Sequence, residues 1–103
     1  MSRTQNGNNT IMSQQTMFKL YVAGDAPNSQ RAIANLAALC REYFPGQNVV
    51  EIVDVFKHPN YALAEGIYMT PTLVKLSPAP ERKIVGTLSD KTTLLLALGL
   101  GHD

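Results

Sequence analysis

The chain has 103 residues, 45% of them hydrophobic, with nine Lys and Arg against eight Asp and Glu for a formal charge of +1. That length suits one domain with one modest core, and the near-neutral balance argues against nonspecific nucleic-acid binding, which takes most of its affinity from basic excess. No apolar run approaches the ~20 residues of a membrane span, and the single Cys40 cannot close an internal disulfide.

The first residues, 1–16, are rich in Asn, Gln, Ser and Thr. They offer too little apolar surface to offset the entropy of ordering, so a flexible polar tail is expected, with the folded domain over 17–103. The tail lacks the apolar stretch of a signal peptide, and the expected location is the cytoplasm. Met17 to Ala23 alternates Phe18, Leu20 and Val22 against Lys19 and Tyr21, which predicts a strand. Turn residues from Gly24 to Ser29 break it. A helix is predicted from about Asn28 to Tyr43, with Ile33, Leu36, Ala37, Cys40 and Phe44 as its buried stripe and Pro45-Gly46 as its stop. Val49 to Phe56 is a nearly continuous β-branched run, as expected of a central strand covered on both faces. Pro59 suits the first turn of a short helix, and Gly66 its end. Thr72 to Leu76 and Arg82 to Val85 read as two more strands, the second antiparallel. Ser89 is placed to cap a last helix reaching about Leu100.

Single residues carry little chemistry. Cys40 sits on the apolar stripe without a second Cys, so a buried structural thiol is expected in preference to a nucleophile. His58 and His102 lack the neighbours of a metal site, so neither a metal nor another cofactor is expected. Asp54 at the end of its strand is expected to reach solvent or a helix N-terminus. Leu94, Leu95, Leu96, Leu98 and Leu100 cover most of the last helix, more than one sheet face can bury, which points to a protein contact.

The order β-α-β-α-β-β-α, with Thr70-Pro71-Thr72 leading into the third strand, resembles a thioredoxin-like α/β domain with a mixed sheet. In that fold Pro71 would follow a cis peptide. The redox version needs a Cys pair at the start of its first helix. The corresponding loop here, Ala23-Gly24-Asp25-Ala26-Pro27-Asn28-Ser29, has no thiol, which points to a binding module and not an enzyme.

Further motifs are more specific. Lys19-Leu20-Tyr21-Val22-Ala23-Gly24, Pro27-Asn28-Ser29, Arg31-Ala32, Asp54-Val55, Lys57, Pro59, Thr70-Pro71-Thr72-Leu73 and Gly86-x-Leu88-Ser89-Asp90 together resemble the KaiB family of circadian clock proteins, without gaps from about Met17 to Leu98. A similar domain forms the sensory end of the clock-output kinase SasA. The resemblance implies two folds, one thioredoxin-like and one a tetrameric ground state with a rewired second half. It implies a partner, the ATPase ring of a KaiC-type protein, with a SasA-like kinase competing for the same site. Lys19, Arg31, Lys75, Arg82 and Lys83 match basic positions linked to partner binding in the family. Thr70, Pro71, Thr72, Ala97 and Gly99 fall where the choice between folds is made. Two departures weigh against KaiA as a partner: Glu51 stands at a strand lysine, and Ala97-Leu98-Gly99-Leu100-Gly101-His102 replaces the family's Gly-Leu-Asp-Leu-Leu-Tyr. The implied function is non-enzymatic regulation of an ATPase cycle in timing or stress. The rival expectations are a thiol oxidoreductase or peroxidase using Cys40 and a self-assembling structural protein, a homo-oligomer built on the leucine helix.

Overall fold

The computed structural model describes residues 15–100. The polar segment before residue 15, together with Gly101, His102 and Asp103, lies outside the described residues. Strand β1 (Thr16–Val22) is followed by helix α1 (Pro27–Tyr43), strand β2 (Asn48–Asp54), helix α2 (Pro59–Ala64), strands β3 (Thr72–Ser77) and β4 (Arg82–Val85), and helix α3 (Lys91–Ala97). The strands form one sheet in the order β2-β1-β3-β4. β2 runs parallel to β1; β3 pairs antiparallel with β1, and β4 antiparallel with β3. This is the mixed sheet of a thioredoxin-like domain, as its element order leads one to expect.

Strand alternation sorts the core into two layers. Phe18, Leu20 and Val22 of β1 point to one face, where Leu73 of β3 joins them against Ala32, Leu36, Leu39 and Cys40 of α1 and Leu94 of α3. Tyr21, Val53 and Val74 point to the other face and pack on Ala62 of α2 and on Ile67. α1 has Pro at its first position, where the missing N–H has no helical partner to lose. Its buried line runs through Ala32, Leu36, Leu39 and Cys40, so Ala37 is exposed and Leu39 takes the place expected for it.

The sheet order corrects one expectation. The β-branched run of β2 is an edge strand and not a central one. Val49, Val50 and Ile52 are all more than a third exposed, and only Val53 is buried. A run of Val and Ile is compatible with either place, because strand preference reports a pleated, half-buried surface and not a position in the sheet. The interior strands are β1 and β3, and the alternation of β1 reflects two covered faces with different chemistry.

The last helix is shorter than its leucines suggest. Its N-cap is Asp90, not Ser89: the Asp90 carboxylate accepts hydrogen bonds from Thr93 N at 3.1 Å and Thr93 Oγ1 at 2.9 Å. Ser89 instead pairs its hydroxyl with that of Thr87 at 2.6 Å. Ala97 ends the helix and Gly99 (φ +77°) turns the chain, so that Leu100 N donates to Leu95 O at 2.8 Å. A left-handed residue just past a helix is where glycine is least strained. Leu94 and Leu98 are buried, Leu95 and Leu100 half-buried, and of the five leucines only Leu96 is largely exposed. The helix is thus seated in the core, and the surplus of leucines leaves no broad apolar face.

Candidate functional site

The chain turns that would frame a thioredoxin centre meet at the C-terminal end of β1. Ala23 N donates to Ser29 Oγ at 3.0 Å, so a buried hydroxyl in the first turn of α1 closes the β1–α1 loop. Asp54, the last residue of β2, accepts from Gly24 N at 3.1 Å and from Phe56 N at 2.9 Å. Its carboxylate therefore ties the β1–α1 loop to the chain leaving β2, in place of the solvent or helix N-terminus expected for it. Gly24 sits at φ +53°, and a Cβ there would meet the Phe56 ring at 3.3 Å. The positive φ favours glycine, and a side chain there would also have to displace the exposed Phe56 ring.

Opposite this loop, the Thr70–Pro71 peptide is cis, as are Ser77–Pro78 and Ala79–Pro80. Pro71 is buried, its carbonyl accepts from Gly86 N at 2.9 Å, and Thr72 Oγ1 donates to Met69 O at 2.6 Å. Thr70, Pro71 and Thr72 thus shape the turn into β3. Beside them Phe56, Leu63, Tyr68 and Met69 are each more than half exposed and line an open cavity of about 460 Å³. No thiol lies in this region. Cys40, on α1, is buried against the sheet, and burial pushes its thiol above its ordinary pKa. A protonated, covered thiol is a poor nucleophile. Thiol labelling in native buffer is therefore expected to be slow and to become fast only in denaturant. Rapid native labelling, or insulin reduction with dithiothreitol abolished by Cys40→Ser, would overturn this. Among the described residues no group of His, Cys, Asp and Glu could hold a metal ion.

The basic residues divide between the two faces of the sheet. Lys19 and Lys83 flank Val74 in one row of cross-strand partners, on the α2 side. The Lys19 ammonium hydrogen-bonds the Tyr61 hydroxyl and lies 4.7 Å from the centre of that ring. This hydrogen bond holds the Lys19 pKa above its ordinary value. Tyr21 lies beneath, its ring 6.3 Å from that of Tyr61, and burial first, then the bond to Tyr61, raises its phenol. Lys83 Nζ donates to Glu65 O at 3.1 Å, just beyond the end of α2. Both lysines therefore hold α2 onto the sheet while presenting charge around it. Lys75 and Arg82 are cross-strand neighbours on the opposite face. Lys75 is only 7% exposed, whereas Arg82 and Arg31 are exposed. Lys75 is thus placed to act through the β3–β4 pair, not as a surface contact. Arg31, one turn into α1, hydrogen-bonds Asn28 Oδ1 at 3.5 Å.

Several structural contacts carry no sequence motif. Asn35 Nδ2 donates to Thr87 O at 2.8 Å, tying α1 to the loop before α3. Lys91 and Glu42 form an exposed ion pair at 2.8 Å, which lowers the Glu42 pKa and raises that of Lys91. Such pairs link residues 49 to 52 positions apart, and neither partner is marked by local pattern.

The model of the KaiB domain family matches residues 19–100. The chain is 44% identical over 87 residues to the circadian clock oscillator protein KaiB of Gloeothece citriformis, covering 84% of this chain and 82% of the relative. It is 42% identical over 94 residues to KaiB of Microcystis aeruginosa, covering 91% and 90%. Among solved structures it resembles the N-terminal domain of Synechococcus elongatus SasA, with a TM-score of 0.71 at 19% identity over 100% of this chain and 95% of that one. It also resembles the Drosophila melanogaster thioredoxin Deadhead, with a TM-score of 0.66 at 18% identity over 95% and 98%. At such identities the two structures speak for the fold alone. No helix among the described residues is long and apolar enough to cross a membrane. With the family match running from within β1 through every later element, the chain belongs to the KaiB family of circadian clock proteins.

Proposed function

We propose that this protein is a non-enzymatic regulator that docks, in its thioredoxin-like state, on the ring of a KaiC-type ATPase and alters its cycle. The observation that carries the reading is a KaiB match over residues 19–100 on a thioredoxin-like scaffold whose β1–α1 loop holds no thiol. A SasA-like kinase competes for the same surface, consistent with the shared fold. Two departures weigh against KaiA as a partner: Glu51, exposed on the edge strand β2, puts a negative charge where the family has a lysine, and Ala97 to His102 replaces the family's C-terminal motif. The site of action is the cytoplasm, with no role for a cofactor.

Four of the five basic residues supply charge to docking: Arg31 and Arg82 from exposed positions, Lys83 beside α2, and Lys19 through its bond to Tyr61. Lys75 supports the strand pair from within. Docking selects the thioredoxin-like state from an equilibrium with the ground state, and a partner shifts such an equilibrium only through differential affinity. Moving it from 1:99 to 99:1 takes about 5.5 kcal/mol.

The test is association kinetics with the KaiC-type ATPase of the same organism, followed by its ATP turnover. Arg31→Glu with Arg82→Glu should slow association by about tenfold or more at low salt and flatten its salt dependence. Thermal stability should hardly change, because both side chains are exposed and make no ion pair among the described residues. Unchanged association would remove both residues from the surface. Absence of binding by the unmutated chain would remove the function.

A further inference from the structure

The edge position of β2 leaves an open apolar cavity of about 640 Å³ between it and α1. α1 runs back along the sheet from the end of β1 to the start of β2. Its late residue Arg41 therefore lies by Asn48, at the beginning of β2, and its early residue Ile33 lies by Ile52, near the end. All four line the cavity, with Ala37 and Val50 between them. One end is thus cationic and polar, and the other is aliphatic. No acidic side chain lines the cavity, and Arg41 makes no ion pair among the described residues. Asn48 Nδ2 is occupied by Phe44 O at 2.8 Å, which holds the amide in place beside Arg41. Cys40 forms part of the wall as a covered thiol.

We propose that this cavity binds a small amphipathic carboxylate, a fatty acid of medium chain length. Its head would pair with Arg41 and its tail would lie over Ala37, Val50 and Ile52. The volume falls within the range of ordinary small-molecule sites, which combine apolar walls with a few polar groups that set orientation. A guanidinium matches a carboxylate with two parallel hydrogen bonds, so the head specifies an acid over an alcohol. Apolar burial supplies most of the affinity, and the cation fixes direction. The assignment does not depend on the ATPase reading, since the cavity lies on the edge of the sheet away from β4, and Arg31 and Arg82 do not line it.

The experiment is titration of the full chain with decanoate and, separately, decan-1-ol, followed by amide chemical shifts and calorimetry. Decanoate should saturate with shifts at Ala37, Arg41, Val50 and Ile52, and bind at least tenfold more tightly than the alcohol. Arg41→Gln should lower decanoate affinity about tenfold and leave the alcohol unchanged. Ala37→Trp, at an exposed helix position that tolerates bulk, should fill the cavity and abolish both. Equal binding of acid and alcohol, decanoate binding indifferent to Arg41→Gln, or no saturation at millimolar decanoate would each overturn the assignment. So would shifts at these residues that depend on protein concentration without ligand, which would make a second copy the occupant.

Discussion

Leu94→Ala is expected to cost the thioredoxin-like state about 2–5 kcal/mol, the usual range for truncating a buried leucine. Leu94 is 4% exposed and is the one fully buried residue within α3 itself, packed in the cluster that contains Phe18, Leu20, Leu36 and Leu73. Leu98 follows just past the helix and cannot replace it. The remaining ties of α3 are weaker: the Asp90 cap, and the exposed Lys91–Glu42 pair, which adds little. In an equilibrium between two folds, a loss of about 3 kcal/mol changes the population ratio roughly 150-fold, each 1.4 kcal/mol being a factor of ten. Binding to the ATPase should weaken accordingly, without any change at the exposed basic residues. NMR secondary shifts supply the readout. The unmutated chain should show helix across Lys91 to Ala97 and strand across Arg82 to Val85, and the variant should lose the helix first. Strand across residues 90–98 in a stable tetramer of the unmutated chain would sink the expectation that this chain populates the thioredoxin-like state more than a typical cyanobacterial KaiB does. Ala97 is expected to favour that state over the glycine the family has at this position, since Ala exceeds Gly in a helix by up to about 1 kcal/mol, while Gly99 follows the helix end, where glycine is least strained.

Asp54→Ala should destabilise the domain by about 2–3 kcal/mol, since it strips a carboxylate acceptor from two backbone amides. Gly24 N and Phe56 N both donate to Asp54 Oδ1, so one substitution loosens the β1–α1 loop and the segment entering α2 together. Asp54→Asn keeps an acceptor of similar shape and should lose no more than half as much. Denaturant unfolding gives the difference, and hydrogen exchange at Gly24 and Phe56 locates it. If Asp54→Ala matches the unmutated chain in both, the carboxylate is only a solvated strand end.

The local parts of the fold were legible because their causes are local. Alternation in β1 follows from side chains pointing to opposite faces, and Pro27, Pro59, Gly46 and Gly66 mark helix ends through φ alone. Thr70-Pro71-Thr72 announced its turn for the same reason. The thioredoxin-like element order extended that reading to the cis peptide before Pro71, but not to the order of strands in the sheet. At the candidate site, the missing thiol and the burial of Cys40 could be read from spacing on one helix. The Asp54 bonds could not, because Gly24 lies 30 residues away.

By itself the sequence determined the kinds of elements, their order and the absence of a thiol centre. Only the tertiary structure decided which strand lies at the edge, and so why Val50 and Ile52 border a cavity and not a covered core. It also decided that Lys75 is buried while Arg82, its cross-strand neighbour, is exposed, and that α3 seats Leu94 and Leu98 and leaves only Leu96 largely out. Burial depends on what packs over a residue from a distant part of the chain, and a side chain's own neighbours in sequence carry no record of that.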